Sequence, residues 1–250
     1  MKYGPNHPVF SPPTDINVKI WRYMDLSKYL SLLDSSALFF SRADLLGDPY
    51  EGATSHANRI IRPSVYGADV DHSMFEGMSS IQQWIRQWTF INCWHMNEIE
   101  SYAMWRIYAR TSDAVAIQST FARLQRVLSD RAFIGVVKYI DYDTEWMPEG
   151  NTLFPFVHKR KSFEHERELR AVMQELPSKT DPDGKTGSVF GIPNGEVGRG
   201  VSMQLPDLIE RVYIAPTSQA WFREIVRSVT AKFKLDAPVE QSALDQSPEF

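Results

Sequence analysis

Apolar and polar positions switch period along this chain. Val18-Lys19-Ile20-Trp21-Arg22-Tyr23 alternates and predicts a first strand, whose side chains fall on two faces. Leu26, Tyr29, Leu30, Leu32 and Leu33 then recur at helical spacing behind Asp25 or Ser27 as cap. Ala37 to Ser41 predicts a second strand, and Leu46 to Gly52 reads as turn chemistry around Gly47, Pro49 and Gly52. Helical spacing returns over 73–88, 100–109, 121–128, 153–163 and 219–233. Strands are predicted at 88–94, 114–118, 133–140 and 208–215. Strands and helices mix without strict βαβ alternation. That predicts an α+β fold with a mixed, mainly antiparallel central sheet flanked by helices.

The pattern also sets an organisation. Residues 1–16 hold four prolines and predict an extended arm outside the core. A single α+β domain is expected over 17–236, with 177–200 as a long surface loop rich in glycine and residues 237–250 as a frayed tail.

Composition narrows the function classes. A net charge of −4 supplies no global pull toward nucleic acid or anionic lipid. The single cysteine, Cys93, excludes an intramolecular disulfide and a thiolate-rich metal site. Neither a secretory leader nor a run of about 18 apolar residues is visible, so no membrane association is expected and the location is read as cytoplasmic.

The densest chemistry lies at Phe163-Glu164-His165-Glu166-Arg167-Glu168-Leu169-Arg170. On a strand the three carboxylates would share a face and need a compensating charge; on a helix they would spread around it. Leu169, Val172, Met173 and Leu176 satisfy helical spacing as well, so the pattern alone admits both. The neighbouring His158-Lys159-Arg160-Lys161 reads either as a basic patch for nucleic acid or as a solvated face balancing the acids. Arg170 is expected to pair with Asp48 or Glu51. Asp44, Asp48, Glu51 and the Glu cluster are also the residue types that hold Mg²⁺ in nucleases. Cys93 and His95 share a strand face but lack an orienting acid.

Four pieces resemble a bacterial family catalogued as domain-of-unknown-function family 2971: Trp21-Arg22-Tyr23 with Leu38 to Ser41; Asp48-Pro49-Tyr50-Glu51-Gly52; Cys93-Trp94 with Ala103-Met104-Trp105, Tyr108 and Val115 to Ile117; and Phe163 with Glu166, Glu168 and Arg170. The chain departs from that family at Leu45-Leu46-Gly47. The resemblance implies a strand after the acidic string and a setting in bacterial stress or phage defence.

More distantly, the layout is similar to the ADP-ribosyltransferase fold, on three points: an Arg on the first strand, a Ser on the second and a late Glu. That likeness implies NAD as co-substrate and a macromolecular acceptor, protein or nucleic acid. Glu168 would be the catalytic carboxylate with Glu166 as deputy, and Arg22, Tyr23, Ser41, Trp105 and Tyr108 would hold the dinucleotide. A carboxylate beside the ribose would stabilise the positive charge that develops as nicotinamide leaves. The competing expectation is a non-catalytic recognition module: the acid–base string is a structural network, Trp105 and Tyr108 are core, and the Trp-rich surface meets a partner.

Overall fold

Asp25 ends the first strand and starts the first helix, because its carboxylate accepts the Lys28 backbone N–H at 2.9 Å. Ser55, Ser101 and Thr120 cap three further helices in the same way. The computed structural model describes residues 3–4, 6–67, 72–109 and 113–246.

In chain order the elements are β1 (Lys19–Asp25), α1 (Leu26–Ser35), β2 (Ala37–Arg42), α2 (His56–Tyr66), α3 (His72–Gln87), β3 (Thr89–Met96) and α4 (Tyr102–Tyr108). Then come β4 (Ala114–Thr120), α5 (Phe121–Leu128), β5 (Phe133–Val136), β6 (Lys138–Ile140), β7 (His158–Arg160) and β8 (Glu168–Gln174). The chain continues through β9 (Ser178–Thr180), β10 (Thr186–Ser188), β11 (Gly198–Ser202), α6 (Leu205–Leu208), β12 (Arg211–Ile214), α7 (Ala220–Lys232) and β13 (Val239–Gln241). The fold is α+β, with a mainly antiparallel, open central sheet flanked by helices.

Among the described residues the sheet has nine strands, and it branches at β3. His95 is paired with Trp21 of β1 and with Glu168 of β8; Ile91 is paired with Ser41 of β2 and with Val172 of β8. Strands β1 and β2 therefore share one edge of β3, and β8 runs along the other. Between its two partners on the shared edge, β3 leaves a fork opposite Asn92 to Trp94. The Phe39 carbonyl closes it, accepting from the Asn92 amide at 2.9 Å and the Arg22 guanidinium at 3.4 Å.

Each face of the sheet carries its own core. Ile20, Met24, Leu38, Phe40, Trp94, Ile117 and Leu169 pack against α1, α5 and α7. On the opposite face, Trp21, Tyr23 and Ala116 pack under Met104 and Trp105 of α4. Further along that face, Ile91, Phe133 and Val172 pack on Trp84, Ile85 and Phe156. Strands β4 and β8 are covered on both sides, which is why their sequences read as apolar runs rather than alternations.

Several expectations are corrected. The N-terminal arm joins the core: Val9 and Phe10 are buried, and Val136 donates its backbone N–H to Ser11 O at 2.9 Å. Pro5, in that arm, lies outside the described residues. The strand read over 133–140 breaks at Val137, whose N–H turns to Glu168 O. No long helix spans 153–163. Leu153, Pro155, Phe156 and Val157 are all buried, leaving no polar face for a helix to present, and the segment forms a short 3₁₀ turn followed by β7.

The expected loop over 177–200 holds the β9–β10 hairpin and the start of β11, an edge strand paired with β2. The expected frayed tail contains β13, paired parallel to β12; residues 247–250 lie outside the described residues. Helix α2 was not legible in the sequence. The tryptophans are mostly core: Trp21, Trp84, Trp94 and Trp105 are buried, and Trp221 is exposed. Among the described residues no helix is long and apolar enough to cross a membrane.

Candidate functional site

The acidic string does not ride on one strand. Glu164 and Glu166 lie in a 3₁₀ turn (Lys161–Glu166), and Glu168 opens β8. Arg167 between them adopts a left-handed backbone, φ 43°. This break exposes Glu164 and turns the Glu166 and Glu168 carboxylates onto the same ammonium, Lys159 Nζ.

Five charged side chains meet there, all nearly solvent-free. Lys159 pairs closely with Glu166 and lies 3.3 Å from Glu168 Oε2. Arg170 sends Nε and Nη2 to the same Glu168 oxygen at 3.1 and 2.8 Å. Its outer edge grips Glu51 through two hydrogen bonds, one of them 2.8 Å, and Nη1 also reaches Phe156 O at 2.9 Å. Tyr108 donates its hydroxyl to Glu166 Oε1 at 2.9 Å, and Tyr139 accepts the Glu168 backbone N–H at 2.8 Å.

Among the described residues three carboxylates face two cations, and the balance shows in their proton affinities. Burial pushes Glu51 up despite Arg170. Burial acts on Glu168 in the same sense, but Arg170 and Lys159 outweigh it and hold the carboxyl below its usual range. Lys159 loses hydration, yet Glu168 and Glu166 raise its pKa. Burial, then Glu168, drive the Cys93 thiol well up, so it stays protonated.

The loop supplying Glu51 is built for the role. The Asp48 carboxylate accepts the Tyr50 N–H at 3.0 Å and pairs with Arg160 at 2.8 Å. Gly52 has φ 71°, and a Cβ there would sit 2.4 Å from the buried Phe156 ring. Arg160 lies over the Tyr50 ring at 4.3 Å and the Phe163 ring at 5.2 Å. Lys159 covers Phe163 at 4.6 Å. A continuous chain of contacts thus runs from Tyr50 through Arg160, Phe163, Lys159 and Glu166 to Tyr108. Its two ends are exposed.

His95 lies beside this cluster. Its Nδ1 is 2.6 Å from Glu166 O. A carbonyl only accepts, so Nδ1 carries the proton and Nε2 keeps a lone pair, which is buried without a hydrogen-bond partner among the described residues. Burial lowers the pKa of His95 and keeps the ring neutral.

The sequence-predicted residues do not gather at one point. Glu166, Glu168 and Tyr108 belong to the network. Tyr23 and Trp105 pack edge to face at 4.9 Å; the Tyr23 hydroxyl accepts from Ser101 N and the Trp105 indole donates to Glu100, so both anchor α4. Ser41 shares the face of Glu168 but is four residues away along β3, about 13 Å at strand rise. Arg22 lies between Ile20 and Met24 along β1, and its guanidinium reaches the Phe39 carbonyl at the fork and makes no ion pair with Glu168 among the described residues.

Lys159 is the member that sequence reading misses: either reading of its basic run puts it at the surface, and it is buried. Arg170 meets Glu51 as expected. The carboxylates considered for Mg²⁺ face cations instead, Asp44 with Arg42 and Asp48 with Arg160. Among the described residues no group of three or more His, Cys, Asp or Glu is placed to hold a metal ion.

Parts of three of the four motif pieces quoted from the sequence converge here: the Asp48–Gly52 loop, Tyr108, and Glu166, Glu168 and Arg170. Against known proteins, no family model, no curated protein and no solved structure matches the chain.

Proposed function

We propose that the chain is a macromolecule-recognition domain whose buried ionic network is a scaffold. One observation carries this reading: Glu168 is 4% exposed, and its carboxylate is already shared between Arg170 and Lys159. A catalytic carboxylate must be reachable by a reactant, and here Oε2 takes the contacts of both cations while the residue is all but closed to solvent. The network instead braces the Asp48–Gly52 loop, β7, β8 and the end of α4. It thereby presents Tyr50, Arg160 and Tyr108 as a rigid strip, and Tyr and Arg are the residue types that dominate binding energy at protein interfaces. A protein partner fits that strip best.

The test pairs stability with activity. Glu168→Gln is expected to lower the melting temperature, and neither it nor the wild type should release nicotinamide from NAD. The double variant Tyr50→Ala/Tyr108→Ala should keep the fold and lose the partner. NAD-dependent nicotinamide release by the wild type, abolished in Glu168→Gln, would overturn the scaffold reading.

That outcome would favour a second reading, an ADP-ribosyltransferase-like enzyme. Its support is that Tyr23, Ser41, Trp105, Tyr108 and Glu168 stand on one face of the sheet, by register and packing. Arg22 would then have no part in holding NAD, and Tyr108 would have to swing away from Glu166 to admit it.

A further inference from the structure

A cleft of about 570 Å³ opens over the Lys19 end of β1, β4 and β12. Its volume falls within the range of small-molecule sites. Two of its cations are already balanced, Arg123 by Glu210 at 3.0 Å and Arg211 by Glu240. Two other lining charges have no ion-pair partner among the described residues: the Lys19 ammonium, which donates to Glu98 O at 3.5 Å, and the Asp236 carboxylate. Gln118 lies on the floor, 4% exposed, and its side-chain amide has no hydrogen-bond partner among the described residues. The amide is not sealed from solvent, so water in the cleft, or a ligand that displaces it, can satisfy it. Tyr213, packed on Trp21 at 4.9 Å, forms an apolar wall with Ile209 and Pro238.

We propose that this cleft binds a small zwitterion of the free α-amino acid type, with an apolar or aromatic side chain. The ligand carboxylate meets Lys19 and its ammonium meets Asp236. Gln118 serves both, donating through its NH₂ and accepting through its carbonyl. A simple anion would face Asp236 and a simple cation would face Lys19, so neither suits the pair of unbalanced charges. The side chain lies along Tyr213, Ile209 and Pro238. The site stands apart from the Glu166–Glu168 network, and it does not depend on the recognition reading.

The experiment follows the Gln118 side-chain amide by ¹H–¹⁵N NMR during titration of the full chain. The probes are L-phenylalanine, N-acetyl-L-phenylalanine, L-phenylalaninamide and inorganic phosphate. Saturable shifts are expected with L-phenylalanine, and binding about tenfold weaker or worse for the two blocked derivatives. By calorimetry, Gln118→Leu and Asp236→Asn should each weaken L-phenylalanine about tenfold. Asp236 is exposed, so its variant decides the matter if Gln118→Leu does not fold. Absence of saturation, equal binding of N-acetyl-L-phenylalanine or phosphate, or an unaltered affinity in Asp236→Asn would each overturn the proposal.

Discussion

Arg170 and Glu51 meet edge to edge in the interior, with Arg170 wholly buried and the Nη2–Oε2 contact at 2.8 Å. The pair joins a β8 strand residue to a loop 119 positions earlier. The same guanidinium holds Glu168, so its removal leaves two carboxylates short of a partner in a dry site.

Arg170→Met should therefore cost about 3–5 kcal/mol, the usual result of breaking a buried pair from one side. For a chain of this size that is a fall in melting temperature of roughly 6–20 °C. Glu51→Gln should cost clearly less, because burial already favours the protonated form of Glu51 and the cluster holds one carboxylate more than it has cations. Chemical denaturation of both variants gives the ranking; equal losses would contradict this charge balance.

Acid and alkali should act on different members. The folded-state pKa of Glu51 is raised, so its contribution is fully present below the unfolded value and is lost as pH rises through the folded one. Glu168 has the opposite sign: its contribution is present above the unfolded value and is lost as pH falls through the lowered one. His95 and His158 are held neutral by burial, so the unfolded chain takes up protons first and stability drops as pH falls below about 6.5. His95→Gln should flatten the stability curve between about pH 7 and pH 5. Glu51→Gln should remove a decline that appears as pH rises above about 4.5. Denaturant midpoints across that range check both signs.

Gly52→Ala should be damaging well beyond its size. The left-handed φ of 71° disfavours any side chain, and the new Cβ would lie 2.4 Å from the fully buried Phe156. Strain and overpacking together predict a loss of about 2–3 kcal/mol. Gly184 also has positive φ but nothing within 4 Å of its Cβ position, so Gly184→Ala should be milder. Thermal unfolding of the two variants side by side separates the backbone effect from the steric one.

Tyr108→Phe removes one hydrogen bond from Glu166 while leaving Lys159 in place. A loss of about 1–1.5 kcal/mol is expected. A much larger loss would mean that Tyr108 seals the network against water rather than capping it.

Local pattern determined much of the scaffold. The Asp25 cap, the α1 face, the strand at Trp21 and the apolar run of β4 follow from residues within a few positions of one another, where side-chain period and capping chemistry act directly. That Arg170 pairs with Asp48 or Glu51 is also expected from the sequence; the choice of Glu51 is left to the fold. Tertiary structure alone decided the rest. A side chain's face depends on strand register, and a shift of one residue would exchange Arg22 with Tyr23. Whether Lys159 is solvated or buried depends on β6, β8 and the Arg167 break closing over it, contacts that no local window contains. Segments 153–163 and 237–241 take their form from the strands they meet, so their own periodicity had little to say.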